Sequence, residues 1–252
     1  MTEFRPGSFQ ILPTVIKNLL IINTLIFLAQ TTFKAPGDFN FNDNLALHTW
    51  QSELFKPWQF FTYMFLHGSW SHLLGNMFVL WMFGSTLENL WGPNRFLVFY
   101  LVSGLGAALC HMGVLYFENH QMIAQLNAID SAPALQNFIA KYGDGYRVPL
   151  NIEAASELTQ LRLDVPTLGA SGAVFGCLAA FGYLFPDDYI YIYFAIPIKV
   201  KWFVIVYIGG ELMLQIQNSA GDSIAHVAHL GGALVGFLMV YFWNKNNRRK
   251  IY

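Results

Sequence analysis

Residues 166–176 read Pro-Thr-Leu-Gly-Ala-Ser-Gly-Ala-Val-Phe-Gly, and a long apolar run begins inside this stretch. Ser171 has small residues on both sides and stands where a membrane helix would start, so a reactant could reach its hydroxyl. The start of a helix carries unpaired backbone N–H groups and the positive end of the helix dipole, which suit an oxygen that becomes negative during acyl transfer. Ser171 is therefore a candidate nucleophile. The alternative is that the serine and its glycines only allow close helix packing in lipid.

The composition indicates an integral membrane protein. Hydrophobic residues make up 55% of the 252 residues, aromatic residues 17% and charged residues only 12%, which does not describe a soluble domain. The net charge of −1 gives no reason to expect a nucleic-acid partner. Cys110 and Cys177 both lie in apolar runs, where a cysteine acts as a small packing residue.

Six apolar segments approach the roughly 20 residues that a helix needs to cross the hydrocarbon of a bilayer. They occupy residues 15–33, 72–91, 95–117, 171–185, 196–215 and 226–243. Six crossings put both termini on one side, and the basic residues mark that side as the cytoplasm. The sequence thus predicts an all-α polytopic protein in which residues 1–252 form a single membrane domain, ending in a basic cytoplasmic tail at 244–252.

Two segments on the opposite side of the membrane are long. The first, residues 34–71, ends in an apolar stretch at 57–67 that is too apolar for a solvated loop and too interrupted for a span. We expect it to lie partly in the outer leaflet. The second, residues 118–165, is a polar insertion in which 121–129 and 152–163 could be short amphipathic helices. A lid, a partner site and a simple insertion remain open for it.

Polar, reactive residues gather in the first turns of three predicted helices. With the N-terminus inside, the second, fourth and sixth spans all run inward from the outer face. The second begins with His72 and Asn76, the fourth with Ser171, and the sixth with His226 and His229. Polar groups inside a membrane are costly and usually face a protein interior or a wet cavity, so their common depth predicts a site.

Glycine spacing predicts which of these helices touch. Two G-x-x-x-G faces, which let helix backbones approach closely, are formed by Gly172 and Gly176 and by Gly232 and Gly236. If these faces meet, His229 reaches Ser171 and can act as its base. His226 lies one turn further out and is the weaker candidate. Packing alone, or a gating role for the histidine, would also account for the pattern.

Asn76 lies four residues after His72, on the same helical face. Its amide could donate to an oxyanion together with the Ser171 backbone N–H, with His72 as a further candidate donor. An interhelical hydrogen bond is the alternative for Asn76. Phe175 follows Ser171 by one turn and could stack under the His229 ring, or be one core aromatic among many.

The acidic and histidine residues argue against a triad and against a metal. Glu88 lies too far along the second helix to orient an imidazole, so we interpret it as structural, and the sequence supports a serine and histidine dyad. Four histidines could cluster around zinc, namely His67, His72, His226 and His229. No H-E-x-x-H motif accompanies them, and zinc would leave the Gly-Ala-Ser-Gly element unexplained, so we predict no metal and no cofactor.

In their order along the chain, these motifs resemble those of the rhomboid intramembrane serine proteases. The similarity covers residues from about Trp58 to Gly236. It rests on Gly169-Ala170-Ser171-Gly172 for G-x-S-G, His72 and Asn76 for H-x-x-x-N, Gly84, Glu88 and Gly92 for G-x-x-x-E-x-x-x-G, and residues 228–236 for A-H-x-x-G-x-x-x-G.

The resemblance implies a six-helix rhomboid fold with a partly embedded first external loop. It implies that Ser171 attacks a peptide bond and that His229 serves as general base and then acid. It implies an oxyanion and substrate-binding set of the Ser171 backbone, Asn76, His72 and Gly169. It also implies supporting roles for His67, Phe175, Glu88, Gly232 and Gly236.

Substrates implied by the resemblance are transmembrane segments of single-span proteins, which enter beside the fifth helix from surrounding membrane lipids. Similarity to bacterial members implies an inner cell membrane, with the site open to its outer face. The chain departs from many relatives in having Trp58-Gln59 where they have Trp-Arg, and Phe175 where they have tyrosine. A non-catalytic relative that binds transmembrane helices is the main alternative, and a solute transporter is disfavoured because the polar residues gather at one membrane face.

Overall fold

Helices account for most of the chain in the computed structural model, which describes residues 9–33, 40–143, 148–192, 196–217 and 226–248. In chain order the helices are α1 (Thr14–Thr32), α2 (Phe41–Leu45), α3 (Gln59–Thr62), α4 (Trp70–Val79), α5 (Ser85–Trp91), α6 (Pro93–Asn127), α7 (Ala132–Tyr142), α8 (Ile152–Leu163), α9 (Ser171–Leu184), α10 (Val200–Gln217) and α11 (His226–Arg248). A 3₁₀ turn, Tyr63–Phe65, follows α3, and a π-helical turn, Leu80–Gly84, joins α4 to α5.

Three helices of the described chain are long and apolar enough to cross a membrane. They are α1, α6 and the His226–Lys245 part of α11. Helix α9 and residues Val200–Gly210 of α10 are apolar but shorter. The second predicted span corresponds to α4, the π-helical turn and α5, which follow one another without a break. The protein is therefore a helical protein with membrane-spanning segments.

Local sequence sets where the helices of the site begin. Ser69 caps α4, because its hydroxyl accepts the His72 backbone N–H at 3.1 Å, and this places His72 in the first turn. Gly92 ends α5 with φ of 80°, a conformation that glycine adopts readily, and Pro93 then opens α6. The chain thus reverses between α5 and α6 within two residues.

Helix α9 lies at the centre of the bundle, and its residues from Gly172 to Ala180 are all buried. The two predicted glycine faces do meet. A Cβ atom added to Gly232 would lie 2.6 Å from the carbonyl carbon of Gly172, and one added to Gly236 would lie 2.6 Å from the Cα of Gly176. Only glycine allows α9 and α11 to approach this closely, which brings the first turns of the two helices together.

The structure corrects the all-α prediction at the fifth span. Residues Tyr189–Ile192 (β1) and Ile196–Lys199 (β2) form an antiparallel pair with Tyr189 opposite Lys199, and α10 begins only at Val200. Alternating tyrosine and isoleucine favour a strand, and Pro197 lacks the N–H that a helix interior requires. Exposed hydrogen bonds from Lys201 and Lys199, at 2.8 and 3.1 Å, lower the pKa of Asp187 at the base of this pair.

The 118–165 insertion contains helices with a small core of their own. Helix α8 matches the predicted 152–163 helix, whereas the predicted helix at 121–129 is the end of α6, and α7 was not predicted. The buried residues of this core are Met122, Phe138, Ala155, Leu158 and Leu163. These helices bury apolar side chains against one another, so they form a folded unit and not a solvated loop.

The first external segment is organised around a buried amide. Gln59 is fully buried, and its side chain accepts the backbone N–H groups of His48 and Lys56 and donates to the carbonyl oxygens of Asp43 and Leu54. Trp58 beside it is 53% exposed. Gln59, at the position of the departure from Trp-Arg, is therefore an internal link of the loop. Of the predicted 244–252 tail, residues 249–252 lie outside the described residues.

Candidate active site

Ser171 and His229 are hydrogen-bonded to each other. Ser171 is the first residue of α9, His229 lies in the first turn of α11, and Ser171 Oγ is 2.8 Å from His229 Nε2. Both residues are partly exposed, so a reactant can approach them. This is the geometry of a nucleophile and the base that removes its proton.

Phe175 fixes the plane of the His229 ring. The two rings are parallel within 6°, with centroids 4.4 Å apart, and Phe175 lies one turn below Ser171 on α9. The stack leaves the Nε2 edge of the imidazole facing the serine. His226 is buried and its ring centroid is 6.3 Å from that of His229, so it borders the pair at its outer side.

Asn76 provides an unused donor one turn after His72 on α4. It is buried in α4, and its Nδ2 atom has no hydrogen-bond partner among the described residues. A buried amide N–H without a partner costs free energy unless a ligand or water satisfies it. The backbone N–H of Ser171 opens a helix whose Ala170 cap gives no side-chain bond, and it donates no hydrogen bond within the described part of the chain, so it is a second donor.

Gly169 connects His72 to Ser171. Its φ is 133°, its N–H donates to the carbonyl oxygen of Tyr63 at 2.9 Å, and it lies directly against the His72 ring. An added Cβ would be 2.9 Å from both Cε1 and Nε2 of His72 and 3.5 Å from Ser171 Oγ. Any side chain at this position would be strained and would displace His72. The structure thus brings Gly169, His72 and Ser171 to one place.

His67 lies behind His72. It is 2% exposed, the two rings are 5.1 Å apart, and neither His67 ring nitrogen has a hydrogen-bond partner among the described residues. Its backbone N–H donates to Gln30 Oε1 at 3.1 Å. In the part of the chain that the structure describes, no three His, Cys, Asp or Glu side chains are grouped so that they could hold a metal ion.

Glu88 lies outside the site and joins α5 to α1. Its two carboxylate oxygens accept the backbone N–H groups of Val15 and Ile16, each at 2.9 Å, and the side chain is buried. These amides are the free donors of the first turn of α1, so the carboxylate caps that helix. Its contacts are structural, as its position in the sequence predicts.

Three residues near the site have no signal in the sequence pattern. Tyr63 is buried and donates its hydroxyl to the carbonyl oxygen of Gly104 at 2.7 Å, while its own carbonyl holds Gly169. His111 on α6 is buried, and its Nε2 is 2.9 Å from the Thr167 hydroxyl. Thr167 also exchanges both backbone hydrogen bonds with Leu47. These contacts hold the chain just before Ser171.

Comparison with known proteins gives a family match that covers most of the chain. Residues 54–246 match the family model described as Rhomboid domain. The chain is 26% identical over 248 residues to Rhomboid-like protein 11, chloroplastic, of Arabidopsis thaliana, a match that covers 90% of this chain and 64% of that protein. It is 28% identical over 190 residues to Rhomboid protein 1, mitochondrial, of Saccharomyces cerevisiae, covering 72% of this chain and 40% of that protein.

A bacterial relative is similar over a shorter stretch. Rhomboid protease AarA of Providencia stuartii is 31% identical over 104 residues, which cover 40% of this chain and 37% of that protein. The chain therefore spans about half the length of the curated relatives it matches. Because these relatives are chloroplast, mitochondrial and bacterial proteins, they do not support a bacterial inner membrane over an organelle membrane.

Proposed function

Because the chain belongs to the rhomboid family, we propose that it is an intramembrane serine endopeptidase with Ser171 as nucleophile and His229 as general base. The observation that carries the proposal is the 2.8 Å hydrogen bond between Ser171 Oγ and His229 Nε2, with the imidazole held flat against Phe175. A serine is a weak nucleophile unless a neighbouring base takes its proton. This pair provides such a base.

In the first half of the reaction, Ser171 Oγ attacks the carbonyl carbon of a peptide bond and its proton passes to His229 Nε2. The carbonyl π bond opens, and the oxygen becomes an oxyanion. Donors aimed at that oxygen stabilise the transition state more than they stabilise the substrate. We assign this role to the Asn76 amide and the Ser171 backbone N–H, with His72, held against Gly169, beside them.

In the second half, the tetrahedral intermediate collapses. The C–N bond breaks, the leaving amine takes the proton from His229, and the acyl group stays on Ser171 Oγ. A water molecule then attacks the ester carbonyl while His229 accepts its proton. The bond between the acyl carbon and Ser171 Oγ breaks, His229 returns the proton to Oγ, and the carboxylic acid leaves. No metal, nucleotide or redox step is required by this sequence of events.

The substrates that fit this site are transmembrane segments of single-span proteins. The proposed fold has six crossings, with α9 and α10 as short spans and α4 and α5 as one, and the 34–71 segment partly embedded in the membrane. The site then opens on the membrane face opposite the basic 244–252 tail. Water reaches it from that face, since peptide hydrolysis requires one water molecule for each bond cut.

The serine and histidine assignments are tested together by labelling and cleavage. The purified protein in detergent is treated with a fluorescent fluorophosphonate and, separately, with a peptide that carries one transmembrane segment with helix-breaking residues. We expect wild type to be labelled and to cleave, and Ser171→Ala and His229→Ala to do neither. Ser156→Ala and His120→Ala, two exposed positions of the insertion and of α6, are matched controls that should behave as wild type.

The main alternative, a non-catalytic relative that binds transmembrane helices, makes the opposite prediction. It requires capture of the peptide by wild type without cleavage and without labelling. Cleavage by Ser171→Ala at the wild-type rate would also remove the proposal. The Ser171–His229 hydrogen bond favours the enzyme, because a helix-binding protein has no need for that pair.

Orientation is tested by cysteine accessibility. In a variant with Cys110 and Cys177 replaced by alanine, a single cysteine is introduced at Ser69, near the site, or at Lys17, at the other end of the bundle. Both positions are exposed. We expect an impermeant thiol reagent to label them from opposite sides of the membrane. Labelling of both from one side contradicts the proposed crossings.

A further inference from the structure

A cavity lies at the end of the bundle opposite Ser171. Its volume is about 270 Å³, and it opens between α5, α6, α9 and α11. Its walls include Trp91, Arg95, Leu184, Val240, Trp243 and Asn244. It is far smaller than a site for a helix and suits a small polar group.

The cavity presents an arginine that forms no ion pair with an acidic residue of the described chain. Arg95 Cζ lies 4.2 Å from the centre of the Trp243 ring, so one face of the guanidinium is covered by a cation–π contact. Trp91 packs edge-on against the same indole, with centroids 5.6 Å apart, and holds it in place. Neither Glu88, which caps α1, nor Asp187, which is bonded to lysines, is available to Arg95.

Two side chains of this cavity, Arg95 and Asn244, carry hydrogen-bond donors. No ion pair or side-chain hydrogen bond of Arg95 or Asn244 is found among the described residues, so the guanidinium edge and the amide N–H groups remain unused. Arg95 also lies in the first turn of α6, where the backbone N–H groups have no helical acceptor. A guanidinium whose face is stacked and whose edge is free matches the paired oxygens of a phosphate.

The position of the cavity indicates where that phosphate comes from. It lies where α5 and α9 end and α6 begins, which is the level at which apolar helices leave the hydrocarbon. Lys245 follows Asn244 directly, and the sequence continues with further basic residues to position 250. Basic pockets between membrane helices at this level bind the headgroups of anionic lipids.

We propose that this cavity binds the phosphate of an anionic phospholipid, with the Arg95 guanidinium on the phosphate oxygens and the Asn244 amide on the headgroup. The acyl chains lie outside, along the apolar surface of α11. This proposal concerns a site remote from Ser171 and does not depend on the proposed protease activity. It requires only that the helices stand in a membrane.

Lipid retention by the intact purified protein tests the site. The protein is exchanged into detergent that contains equal amounts of phosphatidylglycerol and phosphatidylcholine, and bound lipids are counted by native mass spectrometry. We expect wild type to prefer one phosphatidylglycerol to phosphatidylcholine by about tenfold, because a charge-assisted hydrogen bond contributes a binding free energy of that size. Arg95→Gln should lose this preference. Lys17→Gln removes one exposed charge at the same end of the bundle and should keep it.

A further variant and a further ligand distinguish the possible outcomes. Asn244→Leu leaves the Arg95–Trp243 contact intact and should reduce the preference even if Arg95→Gln fails to fold. Inorganic phosphate that raised the unfolding temperature of wild type as much as phosphatidylglycerol does would overturn the lipid assignment. Equal retention of the two lipids by wild type, or an equal loss of preference in Lys17→Gln, would overturn the site.

Discussion

The contact between Gly232 and Gly172 allows the most direct test of how the fold produces the site. In Gly232→Ala the new methyl group would lie 2.6 Å from the Gly172 carbonyl carbon, whereas real Cβ atoms essentially never approach closer than 3.0 Å. The Gly172 carbonyl oxygen, bonded to that carbon at about 1.23 Å, lies still nearer to the new methyl group. To relieve this overlap, α9 and α11 must separate by roughly 1 Å. Backbone atoms cannot rotate away as a flexible side chain can.

That separation acts on the hydrogen bond at the helix ends. Ser171 immediately precedes Gly172, and His229 lies three residues before Gly232. Ser171 Oγ and His229 Nε2 are 2.8 Å apart, so an extra distance of roughly 1 Å takes them beyond hydrogen-bonding range. A displacement of this size can cost about a hundredfold in rate. Overpacking of the helix contact should also reduce the free energy of unfolding by about 1–3 kcal/mol.

The assay is the rate of fluorophosphonate labelling at Ser171, measured beside the thermal unfolding of the same sample. Gly75→Ala and Gly113→Ala are matched controls, since an added Cβ at either position meets nothing within 4 Å. They should label at the wild-type rate and gain slightly in stability from helix propensity. A folded Gly232→Ala protein that labels as fast as wild type would refute the reasoning, because the site would then not depend on close approach of the two backbones.

The remaining predictions concern a donor, a cap, a loop and an ion pair. Asn76→Ala should lower kcat for peptide cleavage about a hundredfold with little change in KM, since it removes an oxyanion donor, and steady-state kinetics of a folded sample measure this. Glu88→Ala should lower the free energy of unfolding by about 3 kcal/mol, because two amides of α1, one partly buried and one buried, lose a charged acceptor, as unfolding in detergent would record. Gln59→Ala should lower it by about 2 kcal/mol, with the exposed Trp58→Ala as a near-neutral control. The hydrogen bonds that Asp187 accepts from Lys201 and Lys199 lower its pKa, so these bonds are present above its ordinary pKa of 3.8 and are lost as the pH falls through the lowered pKa. The tyrosine fluorescence of the β1–β2 pair should therefore stay constant from neutral pH down to the lowered pKa.

Most of the candidate site can be predicted from the spacing of residues along two helices, α9 and α11. His229 stands three residues before Gly232, and Ser171 immediately precedes Gly172, so once the two glycine faces meet, the imidazole and the hydroxyl must come together. The same logic places Phe175 under the ring, because it lies one turn from Ser171. Periodicity fixes directions within a helix, and glycine identifies the contact between helices.

Contacts made by irregular chain could not be predicted in this way. Nothing in the spacing of His111 or Thr167 relates them, since they lie 56 residues apart and meet only because α6 and the 166–169 stretch pack together. The β1–β2 pair could not be predicted from the sequence for a different reason. Residues Ile196–Lys199 are apolar enough to extend a membrane helix, and a short apolar run does not distinguish strand from helix.

The 118–165 insertion is joined to the site at its last residues. Asp164 Oδ1 accepts the Ser52 hydroxyl, Thr49 donates to the carbonyl oxygen of Leu163, and Thr167 is bound on one side by Leu47 and on the other by His111. All of these bonds fall on the few residues that lead into Gly169, whose position against His72 tolerates no added atom. A shift of the insertion relative to the first external segment would therefore reach the nucleophile through a short, hydrogen-bonded stretch. The proposed oxyanion donors of α4 and the proposed nucleophile of α9 belong to different helices, and this stretch connects the two.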